Sequence, residues 1–108
     1  MTAKDYLKQV EKIETLMRNK TSELKKAEGI GISQTIIQAE IQELYKKRKS
    51  IIETIEQLPE AEYDVLYKIY VQGATLYEVA SDRAISYSLA TTLHGRALKH
   101  LDEIINAT

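Results

Sequence analysis

Two apolar seams step alternately by four and three residues, and they confine the chain to long, packed helices. The first runs Tyr6, Val10, Ile13, Met17, Lys20, Leu24 and Ala27; the second runs Ile37, Ile41, Leu44, Arg48, Ile51, Ile55 and Leu58. A 4-3 step holds one stripe on one side of a helix, whereas a strand would need alternation by two. Gly29-Ile30-Gly31 separates the seams, and Gly is a natural stop after a helix. The first helix is therefore predicted to open on Thr2 as its cap, with Asp5 in the dipole-favoured first turn, and to stop near Glu28. Ser33 is the expected cap of the second helix. Some 25 residues of helix would run about 37 Å, and a short loop between two such helices folds them into an antiparallel hairpin. Ile36 and Ile52 widen the second seam beyond what one hairpin can cover. The surplus is expected to pack against a second copy, giving a homodimer. The plain alternative is that it docks on the remainder of the chain.

The rest of the 108 residues reads as all-α as well, since one Pro and four Gly leave few interruptions. The chain has no Cys, which excludes disulfides and thiolate metal sites and suits a reducing cytoplasm. No apolar run reaches the roughly 18 residues of a membrane span, and Met1 to Val10 lacks a signal-peptide core, so a cytoplasmic protein with no membrane partner is expected. The net charge of −1 hides an asymmetry: residues 1–57 carry 11 Lys/Arg against 9 Asp/Glu, residues 58–108 only 4 against 7. Leu58-Pro59 marks the boundary between an N-terminal hairpin, residues 1–57, and a C-terminal unit, residues 58–108. Pro suits the first turn of a new helix, and Glu60 and Glu62 follow it there. Three helices are predicted beyond the boundary, at about 59–72, 75–82 and 86–105, with Gly73 ending the first.

The last two of these form a helix-turn-helix. Thr75 caps the first of the pair, and Glu78 three residues on completes a capping box. Leu76, Val79 and Ala80 share one face, and Ala80 is small where two helices must approach. Ser86 can cap the second helix, whose apolar stripe is Leu89, Ala90, Leu93, Ala97, Leu98 and Leu101. Its other face shows Ser88, Thr91, Thr92, Gly95 and Lys99, small and polar as a DNA-reading helix requires. The plain alternative is two helices that merely meet in an all-α core. The acidic balance of this half argues against a strong sequence-independent grip on phosphates, although Arg96 and Lys99 are local to the reading helix and a dimer doubles every contact.

Leu58-Pro59, Tyr63-Asp64-Val65-Leu66, Leu76-x-Glu78-Val79-Ala80, Ile85-Ser86 and Arg96-Ala97-Leu98-x-x-Leu101 together resemble the promoter-reading region four of bacterial sigma factors. The chain is more similar still to small phage and prophage proteins of Gram-positive bacteria grouped near the ArpU and RinA late-transcription regulators. That similarity rests on the opening Thr2-Ala3-Lys4-Asp5-Tyr6-Leu7, the long helical N-terminal half and the run Thr92-Leu93-His94-Gly95-Arg96-Ala97-Leu98. The resemblance implies a sequence-specific regulator of phage or prophage genes that binds double-stranded DNA and can also touch host RNA polymerase. Carried over by position, it implies that Tyr87, Ser88, Thr91 and Thr92 face base edges, while Ser86, His94, Arg96 and Lys99 hold phosphates. The chain departs from the pattern at Arg83, where Leu or Met is usual, at Ala84, where the turn usually has Gly, and at Ala90, where Val is usual. These departures predict a thin apolar contact between the motif helices, and with Ala84 the turn cannot take a strongly positive φ without strain. The reading face also lacks Arg, Asn and Gln, the side chains that pair with bases in bidentate fashion, so one copy should be modestly selective.

Two other functions fit the same residues. A small-terminase-type packaging subunit joins such a motif to a helical oligomerisation segment, and a protein–protein adaptor would dock its acidic head without touching DNA. The run Lys46-Lys47-Arg48-Lys49 is either a solvated face or a phosphate patch; its four side chains point in four directions, and Arg48 on the seam could pair with a carboxylate. His94 and His100 are six apart and do not share a helical face, so no metal site or other cofactor is expected. The C-terminal tyrosines could stack on bases, or lie half-buried with wet hydroxyls. Gly95 is either a tolerated defect or a point where the backbone closes on a phosphate. No nucleophile–base arrangement, Gly-rich phosphate loop or carboxylate pair stands out, so no enzyme is expected.

Overall fold

The structure, a computed structural model, describes residues 1–107. The described residues form five α-helices: α1 Ala3–Lys26, α2 Gly31–Ile55, α3 Glu60–Leu66, α4 Leu76–Asp82 and α5 Tyr87–Ile105. Among the described residues there is no strand, and no helix is long and apolar enough to cross a membrane.

Local chemistry sets most of the helix ends. The Asp5 backbone N–H donates to Thr2 Oγ1 at 3.1 Å, which caps α1. At α4 the capping box closes in both directions: Glu78 N–H donates to Thr75 Oγ1 and Thr75 N–H to Glu78 Oε1. Ser86 Oγ accepts from Leu89 N–H at 3.0 Å and starts α5. Ser33 is not a cap: α2 begins two residues earlier, at Gly31, with Ile30 in the cap position and no side chain serving it. The interhelix turn already delivers a helical backbone at that point, so Ser33 lies inside the first turn.

The hairpin forms through α1 and α2, and charges stitch its seam. Arg48 Nε donates to Glu14 at 3.2 Å, and Lys20 reaches Glu40 at 2.6 Å. The polar seam positions are thus paired across the hairpin. Within the basic run, Lys46 and Lys49 pair with Glu43 and Glu53 on their own helix.

A single core joins the hairpin to the C-terminal helices. Ala3, Leu7, Val10, Ile13, Ile51, Ile55 and Leu58 pack in one cluster with Leu66, Ala97 and Leu101. The seam expected on α1 turns by one position at its N-terminus: Leu7 is fully buried, while Tyr6 is half-buried and donates its hydroxyl to Thr54 at 3.0 Å. The Ala3 N–H also donates to Asp102 Oδ1 on α5 at 2.6 Å. Part of the surplus apolar surface is therefore covered within the chain. The far half of the hairpin extends beyond this core, leaving Leu16, Ile30, Ile36 and Tyr45 exposed. The radius of gyration, 16.9 Å, exceeds the roughly 13 Å of a compact chain this size for that reason.

Past Leu66 the helix widens into a π turn, Tyr67–Val71, closed by Gln72 N–H donating to the Tyr67 carbonyl and by Gly73 at φ +73°. Such insertions re-aim side chains. Here the turn brings Tyr70 against α5.

The four residues between α4 and α5 form a Schellman stop. Ala84 N–H donates to the Ser81 carbonyl and Ile85 N–H to the Ala80 carbonyl, with Ala84 left-handed at φ +55°. Ala was expected to take positive φ here only under strain, and the paired hydrogen bonds impose that geometry. A Cβ in this region costs about 1–2 kcal/mol, and Gly returns about 0.4–1 kcal/mol of that as unfolded-chain entropy. Ala84→Gly should therefore stabilise the fold by about 0.5–1 kcal/mol, read as a rise in the midpoint of urea unfolding. An unchanged or lower midpoint would contradict the strained turn.

Candidate nucleic-acid interface

The two helices of the motif meet through small residues. Val65, Val79, Ala80 and Ala90 are buried in a second cluster, flanked by Ile69, Ala74, Leu76, Ile85 and Leu93. Ala90 is fully buried in this contact, so the motif helices meet through a small side chain where Val is usual. Arg83 does not enter this core. It reaches back to α3, donating to Asp64 Oδ2 at 2.8 Å and to both Glu60 oxygens at 3.3 Å. Lys68 adds a 3.0 Å pair to the same Asp64 oxygen. Burial alone would raise the Asp64 carboxyl, but the bonds from Arg83 and Lys68 outweigh it and hold the group below the ordinary carboxylate value.

This pairing matters for the surface. Of the four basic residues after position 57, Lys68 and Arg83 are tied to acids, whereas Arg96 and Lys99 are exposed on α5 and make no ion pair among the described residues. Among the described residues, the two cations of this half that lack an ion pair therefore both lie on α5.

Most residues of the predicted reading face are open to solvent. Ser86, Tyr87, Ser88, Thr91, Thr92, Gly95, Arg96 and Lys99 are all exposed. The hydroxyls of Thr91 and Thr92 donate to the Tyr87 and Ser88 carbonyls, at 3.0 and 3.1 Å. Ser86 keeps its hydroxyl proton free while its oxygen caps the helix. A Cβ built at Gly95 would meet nothing within 4 Å, so nothing inside the protein demands Gly there.

His94 departs from its predicted role. It is half-buried, stacks on Tyr70 with centroids 5.8 Å apart, and is hydrogen-bonded through Nε2 to the Tyr70 hydroxyl at 2.9 Å. Burial, with a smaller contribution from Lys4, lowers its pKa below the ordinary 6.5. A neutral ring already bonded inside the fold is poorly suited to hold a phosphate. Because the unfolded chain takes up this proton more readily than the folded one, stability should fall as pH drops below about 6.5. Urea midpoints are thus expected to decline from pH 7 to pH 5.5, and His94→Gln should flatten the decline. An equal decline in the variant would assign it elsewhere. His100 is also engaged, donating from Nδ1 to the buried Glu62 at 2.6 Å.

Sequence reasoning missed two features of the face. Leu89, assigned to the apolar stripe, is 45% exposed. Tyr77 and Tyr87, 71% and 44% exposed, stack on each other with centroids 4.4 Å apart. Both tyrosines occupy the first turn of a motif helix, α4 and α5 respectively, and that placement was a readable signal. The N-terminal ends of α4 and α5 thus expose a stacked tyrosine pair, and the first turn of α5 exposes Leu89 as well.

Comparison of the chain with protein-family models, with curated proteins and with solved structures finds no match.

Proposed function

We propose that this protein is a sequence-specific, double-stranded-DNA-binding transcriptional regulator, with α5 as the helix that enters the major groove. The observation that carries this reading is the pairing of a capped helix-turn-helix, closed on its own buried cluster, with Arg96 and Lys99 exposed on its second helix and free of ion pairs among the described residues. An α-helix fits the major groove of B-DNA, and its flanking cations meet the phosphates. Ser86, Tyr87, Ser88, Thr91, Thr92 and Gly95 make up the rest of the surface offered to the duplex. The resemblance to phage late-transcription regulators directs the search for targets to phage and prophage promoters.

The proposal includes a homodimer formed through the far half of the hairpin. Leu16, Ile36 and Leu44 line one groove there, rimmed by Lys20, Lys47, Glu40 and Glu43, so that both charge signs are present for a two-fold copy. Two heads would then read a two-part site.

The test is enrichment of duplexes from a randomised library of about 20 base pairs by the full chain, with affinity of the winners measured against salt. Recovery of a common sequence, bound with a log–log salt slope of about −0.9 per phosphate contacted, supports the reading. Failure to retain any duplex at low salt, with retention of RNA polymerase instead, would make the head a protein-docking adaptor.

A further inference from the structure

We propose that the reading face selects its site through the 5-methyl groups of thymine rather than through base-edge hydrogen bonds, an inference that rests on the DNA-reading function above. Between Tyr87 and Gly95 the helix carries no Arg, Lys, Asn or Gln, so no side chain there can make the bidentate contacts that single out guanine or adenine. The two threonines in that stretch are further constrained. Each commits its hydroxyl proton to a carbonyl one turn back, Thr91 to Tyr87 and Thr92 to Ser88. What these two side chains still offer the exposed face is a methyl group each and acceptor lone pairs. Leu89 is an exposed aliphatic side chain in the first turn of the same helix, and the Tyr77–Tyr87 stack is an exposed aromatic surface at its N-terminal end. Of the groups that base pairs present in the major groove, the thymine methyl is the apolar one. The flanking free cations, Arg96 and Lys99, hold the helix against the phosphates without reading sequence.

Burying one methyl is worth about a factor of four in binding, so losing two such contacts should lower affinity roughly tenfold or more. The test uses the duplexes enriched by the full chain, resynthesised with uracil in place of thymine so that only the methyl groups are removed. The thymine duplex is expected to bind at least about tenfold tighter than its uracil twin at the same salt. The double variant Thr91→Ser, Thr92→Ser keeps both hydroxyls and their backbone bonds, and should bring the ratio towards one. Equal binding of the thymine and uracil duplexes would overturn the inference and leave DNA reading intact. A thymine preference that persists unchanged in the double variant would overturn the assignment to Thr91 and Thr92. If no duplex is enriched at all, the DNA-reading function falls, and this inference falls with it.

Discussion

Leu7→Ala is expected to lower stability by about 3–4 kcal/mol and to loosen the whole molecule rather than one end of it. Leu7 is fully buried, and the cluster that surrounds it draws on α1, α2, α3 and α5 together. Truncating a buried Leu removes the transfer energy of the lost methyls and leaves a cavity that rigid neighbours fill poorly, which is why such changes reach about 3–5 kcal/mol. The neighbours here are held in place. The Ala3 N–H is anchored on Asp102 and the Tyr6 hydroxyl on Thr54, so the first two turns of α1 cannot slide to close the gap. For a chain this size the loss corresponds to a fall in the unfolding midpoint of roughly 12–25 °C. Far-UV circular dichroism and the tyrosine signal of Tyr63, Tyr67 and Tyr70 should fall together in one transition, because those rings border the same cluster. Two separated transitions would show that the hairpin and the C-terminal helices are energetically independent. Leu24, half-buried near the far end of α1, should cost less than half as much when truncated.

Arg96→Ala with Lys99→Ala should weaken binding to every duplex alike and make the salt dependence shallower by about 1.8 in the log–log slope. The slope follows from counterion release, about 0.9 for each phosphate neutralised. Both side chains are exposed and free of intramolecular partners among the described residues, so the double variant should keep its fold. The contrast with Arg83 sharpens the test. Arg83 is bound to Glu60 and Asp64, so Arg83→Ala removes the link from α4 to α3 and leaves Asp64 with Lys68 as its one cation. That change should lower stability, most visibly above the pH where Asp64 ionises, and leave the salt slope alone. If the Arg96/Lys99 variant matched the parent in slope, α5 would not lie along the phosphates, and the proposed docking would be wrong.

Much of the architecture was readable from residue types alone, because it depends on interactions that close within four residues. Thr2, Thr75 and Ser86 each cap a helix with a side-chain oxygen three residues from the donor. The 4-3 seams specified the hairpin, and Gly73 closes the third helix where expected. The exposure of Ser88, Thr91, Thr92 and Lys99 followed from the same helical period. The failures share one cause. Leu7, rather than Tyr6, is the buried residue because α5 approaches α1 from the side that the hairpin alone leaves open. Arg83 is accommodated because Glu60 and Asp64 lie within reach on a helix some twenty residues away. Ala84 accepts a left-handed backbone because the stop between α4 and α5 must turn sharply enough to bury Ala90.

His94 shows the division most clearly. Its position on the helical wheel left it available to a phosphate, and the π turn that follows α3 then brought Tyr70 to within 2.9 Å and took it out of play. Leu89 went the other way, from predicted core to open surface, since α4 covers only part of the stripe. Helix limits and caps are decided by hydrogen bonds between near neighbours, and a linear string of residues carries that information. Which of two adjacent apolar faces is covered, which cation finds an acid and which ring stays free for a ligand depend on segments far apart in the chain. Those pairings come into being when the core closes around Leu7, Leu66 and Leu101.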